Sequence, residues 1–203
     1  MSRTKQVSVM VLGLLLLTAL GCSSKKVVSR VDEGATIDLS GNWNDTDSRL
    51  VADEMITDAL ARPWLASHLR DKGANPAVIV GAIKNLSDEH IATGTFVGDI
   101  ERAFVNSGNV RVVAKKDERE GVREERMDQQ ANASVETVKE FGEELGADYM
   151  LIGEINKITD QERNEKVAFY QVDLTLTDMQ SNEKVWIGQK KLKKYIARKP
   201  YKP

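Results

Sequence analysis

The stretch KVAFYQVDLTLTD, residues 166–178, constrains the fold more than any other part of the chain. Tyr170, Val172, Leu174 and Leu176 alternate with Gln171, Asp173, Thr175 and Thr177. Successive side chains of a strand point to opposite faces, so this period predicts a strand with one buried face and one polar face. Such a strand needs neighbours on its edges and a second layer over its apolar side. The neighbours are at hand. ADYMLIGEINKI (147–158) precedes it and VWIGQKKLKKYI (185–196) follows it across the polar turn MQSNEK. The three segments predict an antiparallel meander at the C-terminal end.

The covering layer is written earlier in the chain. Leu50, Val51, Met55, Ile56 and Leu60 recur at helical spacing after Asp45 or Thr46, either of which can cap the helix. Pro63 opens a second helical piece that Gly73 ends. PAVIVGAIKN (76–85) reads as a buried strand and VRVVA (110–114) as another, with a helix between them. That helix places Phe96, Val97, Ile100, Ala103 and Phe104 on one face and stops at Gly108. Residues 115–128 carry five positive and six negative charges, the pattern of a solvated helix. Ser134 then caps a helix with Val135, Val138, Phe141 and Leu145 inward, closed by Gly146. The fold class is therefore α+β, a mixed, largely antiparallel sheet of four to five strands flanked by helices.

The N-terminus follows different rules. Arg3 and Lys5 precede an uncharged run from Val7 to Leu20, too short for a membrane span of roughly 20 apolar residues but fitting a signal-peptide core. The only cysteine, Cys22, closes this run directly before Ser23, Ser24, Lys25 and Lys26. Ala19, Leu20, Gly21 and Cys22 resemble the bacterial lipobox, which implies cleavage after Gly21 and acylation of Cys22. With its one thiol consumed, the domain has no disulfide and must rely on its core. Ser23, where an Asp would favour the inner membrane in enterobacterial systems, implies an outer-membrane address facing the periplasm. The chain thus divides into a signal peptide (1–21), a flexible tether (22–37) and a globular domain (38–203). Fully stretched, the tether reaches at most roughly 50 Å.

Little in the domain is built for chemistry. Losing Arg3 and Lys5 moves the formal charge from −2 to −4, which argues against nucleic acid as a partner. His68 and His90 stand apart from one another with no free thiol to join them, so neither zinc nor nucleophilic catalysis is expected. No phosphate-binding glycine loop or nucleophile elbow occurs. The expectation is a non-enzyme without cofactor, metal or small-molecule substrate.

Two features rise above this background. From Lys184 onward the chain has eight basic residues and no acidic one: Lys184, Lys190, Lys191, Lys193, Lys194, Arg198, Lys199 and Lys202. Lysines protect an edge strand from aggregation, and they equally suit a partner-binding surface, for which Lys190, Lys191, Lys193 and Lys194 are the candidates. Trp43, between Asn42 and Asn44 in SGNWN, is either a lid over the core or a partner contact.

In order along the chain, the lipobox, DLSGNWNDTDSRLVADEM, AVIVGAIKN with FVGDIERAFVNSGNVRVV, ELGADYMLIGEI and VDLTLTDMQSNEKVWIGQKKL resemble the LpoB-type penicillin-binding protein activators. These are outer-membrane lipoproteins of the TolB N-terminal-like fold, and the resemblance covers about residues 35–196. It implies a lipoprotein that docks on a bifunctional peptidoglycan synthase and stimulates it. Enterobacterial members carry a long Pro-rich linker, whereas here Pro63 is the first proline. The other function compatible with these residues is an envelope or secretion-assembly lipoprotein of the same fold without a synthase partner. If Cys22 carries the anchor, Cys22→Ser moves the protein out of the outer-membrane fraction on sucrose-gradient fractionation. A variant that still sediments with outer membrane refutes the acylation.

Overall fold

The alternating stretch is the fourth strand of a five-stranded sheet in the computed structural model, which describes residues 27–32, 34–132 and 144–197. The elements in order are α1 (Asp45–Leu60), α2 (Pro63–Lys72), β1 (Ala77–Asn85), α3 (Thr93–Ser107), β2 (Arg111–Val112), α4 (Lys116–Asn132), β3 (Tyr149–Glu162), β4 (Glu165–Asp178) and β5 (Lys184–Ala197). The sheet order is β2-β1-β3-β4-β5. Strand β1 runs parallel to β2 and β3, and the β3–β4–β5 meander is antiparallel as expected. One compact unit spans Thr36–Pro203. Ahead of it, residues 27–32 and 34–35 form no helix or strand, and Val27, Val28 and Val31 are exposed.

Helices α1 and α3 pack on each other, with α3 against β1 and α1 against β5. Val51, Met55 and Ile56 of α1 and Phe96, Ile100 and Phe104 of α3 meet Val78, Val80, Leu151, Ile155 and Val172, Leu174 and Leu176 of β4. Tyr170, Val172, Leu174 and Leu176 are all fully buried. Each apolar side chain taken out of water here contributes about 1.5–3 kcal/mol, so the inner face of this meander is the main source of cohesion.

Local differences from the sequence expectations have simple causes. Asn44 caps α1, in place of Asp45 or Thr46: its side chain accepts from the Asp47 N–H and its own N–H donates to Asp47 Oδ2, both at 3.0 Å. That reciprocal pair satisfies two helix-end donors at once. Leu50 is exposed because the buried stripe of α1 runs through Val51, Ala52, Met55, Ile56 and Ala59, one position round the helix. The VRVVA strand shortens to Arg111–Val112, since the chain leaves the sheet for α4 within four residues. Helix α4 is the solvated, mixed-charge helix expected, and Arg123 donates twice to Glu144 at 2.7 Å. The helix expected from Ser134, with Val135, Val138 and Phe141, lies outside the described residues.

On the inner face Gly153, Leu174 and Gly188 form one cross-strand row. The Trp186 indole lies over Gly188, so closely that a Cβ there would stand 2.1 Å from its ring. The ring also donates from Nε1 to Asp58 Oδ2 of α1 at 2.9 Å, which ties helix to sheet. Gly188→Ala must therefore expel the indole, and should cost about 1–3 kcal/mol in urea unfolding. Unchanged stability with unchanged Trp186 fluorescence contradicts this packing.

Candidate partner-binding strand and its clamp

The pleat of β5 sorts the basic run into two sets. Trp186, Gly188, Lys190, Leu192 and Lys194 alternate toward the helix layer, while Ile187, Gln189, Lys191, Lys193 and Tyr195 point away from it. Lys190 Nζ meets Glu54 Oε2 of α1 at 2.5 Å. Lys194 Nζ reaches Asp47 Oδ2 at 2.6 Å, Asp38 Oδ1 at 2.8 Å and the Asn42 carbonyl at 3.1 Å, with its side chain only 14% exposed. Burial opposes the charge on Lys194, but the two carboxylates outweigh it and hold the ammonium above its ordinary value.

Lys191 and Lys193 are exposed and form no ion pair among the described residues. Their cross-strand neighbours on β4 are Gln171 and Phe169. Phe169 in turn faces Ile158 of β3, which is exposed, as are Ile187 and Tyr195. The outer face thus offers two ammoniums among accessible apolar side chains. Lys184 is exposed at the start of the strand. Arg198, Lys199, Lys202 and Cys22 lie outside the described residues.

Trp43 belongs to a strap, residues 38–44, that crosses toward β4 and β5. Its ring meets Tyr170 and Phe96 edge to face, at centroid distances of 5.6 and 5.9 Å, and its Nε1 donates to Ser48 Oγ at 2.8 Å. Half-buried against the core, it covers part of the α3–β4 packing. At Gly41, φ is +71° and a Cβ would sit 2.3 Å from Ile196 Cγ1, so a side chain fits neither the backbone nor the space.

Beneath the strap, Glu89 accepts from the Trp43 N–H at 3.0 Å and from the Tyr170 hydroxyl at 2.7 Å, and pairs with Lys157 Nζ at 2.8 Å. Lys157, with a side chain 2% exposed, also reaches Asp88 at 2.7 Å. Burial raises the Glu89 carboxyl, yet the three donors more than compensate and hold it below its ordinary value. Tyr170 is pushed far up, by burial first and then by Glu89. Sequence reasoning singled out Lys194 and Trp43 but not Glu89, Lys157, Asp38 or Asp47, the groups that engage them or share their network.

These shifts fix a pH window. Glu89 titrates below 4.5 in the folded state, so its contribution is fully present above 4.5 and is lost as pH falls through the folded value. Lys157 and Lys194 titrate above 10.5, so theirs is fully present below 10.5 and is lost as pH rises through the folded values. Glu89→Gln should cost about 1–3 kcal/mol at neutral pH, because charged hydrogen bonds are lost in a partly buried site. The deficit should shrink at pH 3, below the ordinary carboxyl value of 4.5, where the unfolded parent already binds the proton. Urea titrations at both pH values measure it, and an equal deficit at each assigns Glu89 to packing alone.

Among the described residues no helix is long and apolar enough to cross a membrane. No curated protein matches the chain. Solved structures similar to it include the LpoB C-terminal domain from Salmonella enterica, at 18% identity over 64% of this chain and 93% of that one, with a TM-score of 0.34. The NMR structure of E. coli LpoB is similar at 12% identity over 88% and 86%, with a TM-score of 0.40. Lipoprotein GNA1162 from Neisseria meningitidis is similar at 14% identity over 59% and 83%, with a TM-score of 0.37. A family profile, "Peptidoglycan-synthase activator LpoB", matches residues 47–192, from the first turn of α1 into β5. The chain belongs to the peptidoglycan-synthase activator LpoB family.

Proposed function

We propose that the protein is a non-enzymatic outer-membrane lipoprotein, anchored through Cys22, that binds a bifunctional penicillin-binding protein and stimulates its peptidoglycan synthesis. The family match across nearly the whole compact unit is the observation that carries this reading. The signal-like N-terminus and the lone cysteine support the anchoring. Two or three acyl chains hold a protein at a membrane where one does not.

For the docking face the reading takes the outer side of β3–β5. Lys191 and Lys193 are the ammoniums there, beside the carboxylates Glu154, Asp160 and Asp173 of the same face, and Ile158, Ile187 and Tyr195 supply apolar contact area. Lys190, Lys194 and Trp43 serve that face indirectly, through their bonds to α1 and the strap. Charge of this kind speeds and orients association more than it adds affinity.

In glycan-polymerisation assays the protein alone should show no turnover, and a cognate synthase should accelerate in its presence. An unchanged rate with every bifunctional synthase of the source organism overturns the reading in favour of an assembly role. Reversing Lys191 and Lys193 to Glu should lower the association rate with that synthase on the order of tenfold at low salt. The difference should narrow at physiological ionic strength, where the Debye length is about 8 Å. The fold should hold, since exposed substitutions usually cost within about 0.5 kcal/mol. Equal rates for parent and variant at low salt leave these lysines as edge protection.

A further inference from the structure

Strand β5 is the open edge of the sheet. Among the described residues it pairs with β4 alone along its 14 residues, while the opposite edge, β2, has two residues. Alternate residues of an edge strand turn their N–H and C=O groups outward, a ready template for another chain. Proteins usually blunt such an edge by shortness, by proline or by a covering element. Here Lys184–Ala197 is long and holds no proline, and every second residue from Ile187 to Tyr195 is exposed.

The lysines decide which chain this template accepts. Residues 190–194 read Lys-Lys-Leu-Lys-Lys, the same in both directions. A second copy added antiparallel about Leu192 sets Lys191 of each copy against Lys193 of the other. Like charges directly opposite one another destabilise a pair of strands. The neighbouring acids do not relieve this. On the outer face Glu154 and Asp160 belong to β3, and Asp173 of β4 accepts from the Gln171 and Gln189 side-chain amides. All three lie on the β4 side of β5, so among the described residues no carboxylate answers Lys191 and Lys193 across the open edge.

The inner side of the edge adds an apolar requirement. Asp47 and Glu54 of α1 meet Lys194 and Lys190, and Leu50 lies between them on the same stripe of the helix, 55% exposed. On β5, Leu192 lies between the same two lysines and is only partly buried. Further along the edge, residues 186–190 and Glu54, Met55 and Asp58 of α1 border a groove of about 270 Å³. Its carboxylates are already engaged, Glu54 by Lys190 and Asp58 by Arg62 and the Trp186 Nε1–H. The shelf beside the edge therefore suits uncharged side chains.

We propose that the edge of β5 takes up an extended acidic segment of a partner protein as a sixth, antiparallel strand. Two carboxylates spaced i and i+2 meet Lys193 and Lys191, and the apolar residue between them covers Leu192 and Leu50. Main-chain bonds along the edge hold the segment, and this side-chain pattern selects it. The inference shares two lysines with the synthase reading without resting on it. A synthase that docks on the outer face alone leaves the edge open, and any partner bearing such a segment fills it.

The probe is the capped peptide Val-Thr-Glu-Val-Glu-Thr-Thr-Thr-Val, written to run from Tyr195 to Ile187, beside a second peptide with Lys at both Glu positions. Each is titrated into the isotope-labelled full chain in zwitterionic detergent, and amide exchange of β5 is read by NMR. The acidic peptide should saturate with a Kd below about 1 mM and bind at least about threefold more tightly than its lysine counterpart. Amides of alternate residues between Ile187 and Tyr195 should exchange more slowly in the complex, a pattern that side-chain contact on either face does not produce. Lys191→Glu with Lys193→Glu, both exposed, should reverse the preference between the peptides, which misfolding does not imitate. No saturation by about 10 mM, equal binding of the two peptides, an unreversed preference, or binding without alternating protection overturns the inference. Protection of the same amides that grows with protein concentration in the absence of peptide overturns it too, and assigns the edge to a second copy.

Discussion

A tyrosine that points inward from the middle of a sheet buries a large ring and must still satisfy a hydroxyl. Tyr170 of β4 meets that demand with Glu89, and much of the molecule's N-terminal end follows from the choice. A carboxylate at that depth needs further donors. Lys157 from β3 and the Trp43 N–H from the strap provide them. The same bonds fix the β1–α3 loop, seat the Trp43 ring on Phe96 and Tyr170, and bring Asn44 into place as the cap of α1. One phenol therefore sets where the chain crosses the sheet and where its first helix begins.

The strand pleat acts with similar force on the basic run. Lys190, Lys191, Lys193 and Lys194 are indistinguishable as a composition, yet alternate projection gives them different tasks. Two meet carboxylates of α1 and the strap, and two face solvent beside Phe169 and Ile158. The inward ammoniums are tolerated because Glu54, Asp38 and Asp47 neutralise them. Asp47 serves twice, since it also accepts the Asn44 N–H in the cap of α1.

What was legible in the sequence was whatever depends on short-range period. The alternation of Tyr170 to Leu176 gave the meander, and the helical recurrence of Phe96, Ile100 and Phe104 gave α3. Gly73 and Gly108 marked helix ends for the same local reason. The cap at Asn44 was hidden because Asn44, Asp45 and Thr46 are all competent caps, and only the reciprocal bond with Asp47 chooses among them. The partners of Lys194 and Tyr170 were hidden more deeply. Asp38 and Glu89 are ordinary surface residues by composition, and topology alone carries them to those side chains. The signal that was present is chemical: an inward-facing tyrosine implies an acceptor somewhere, although the sequence does not say where.

The clamp on Lys194 also has a place in time. Its two carboxylates lie 156 and 147 residues away along the chain. A polypeptide that emerges N-terminus first presents Asp38 and Asp47 early, and they wait without a cation until nearly the last strand has arrived. Long-range contacts of this kind form slowly, because a large loop must close first. Until then the strap, residues 38–44, lacks the hold that Lys194 gives it on the last strand. Closure of this single ion triplet reports that the C-terminal meander is complete, and it does so at the strap that leads into the first helix.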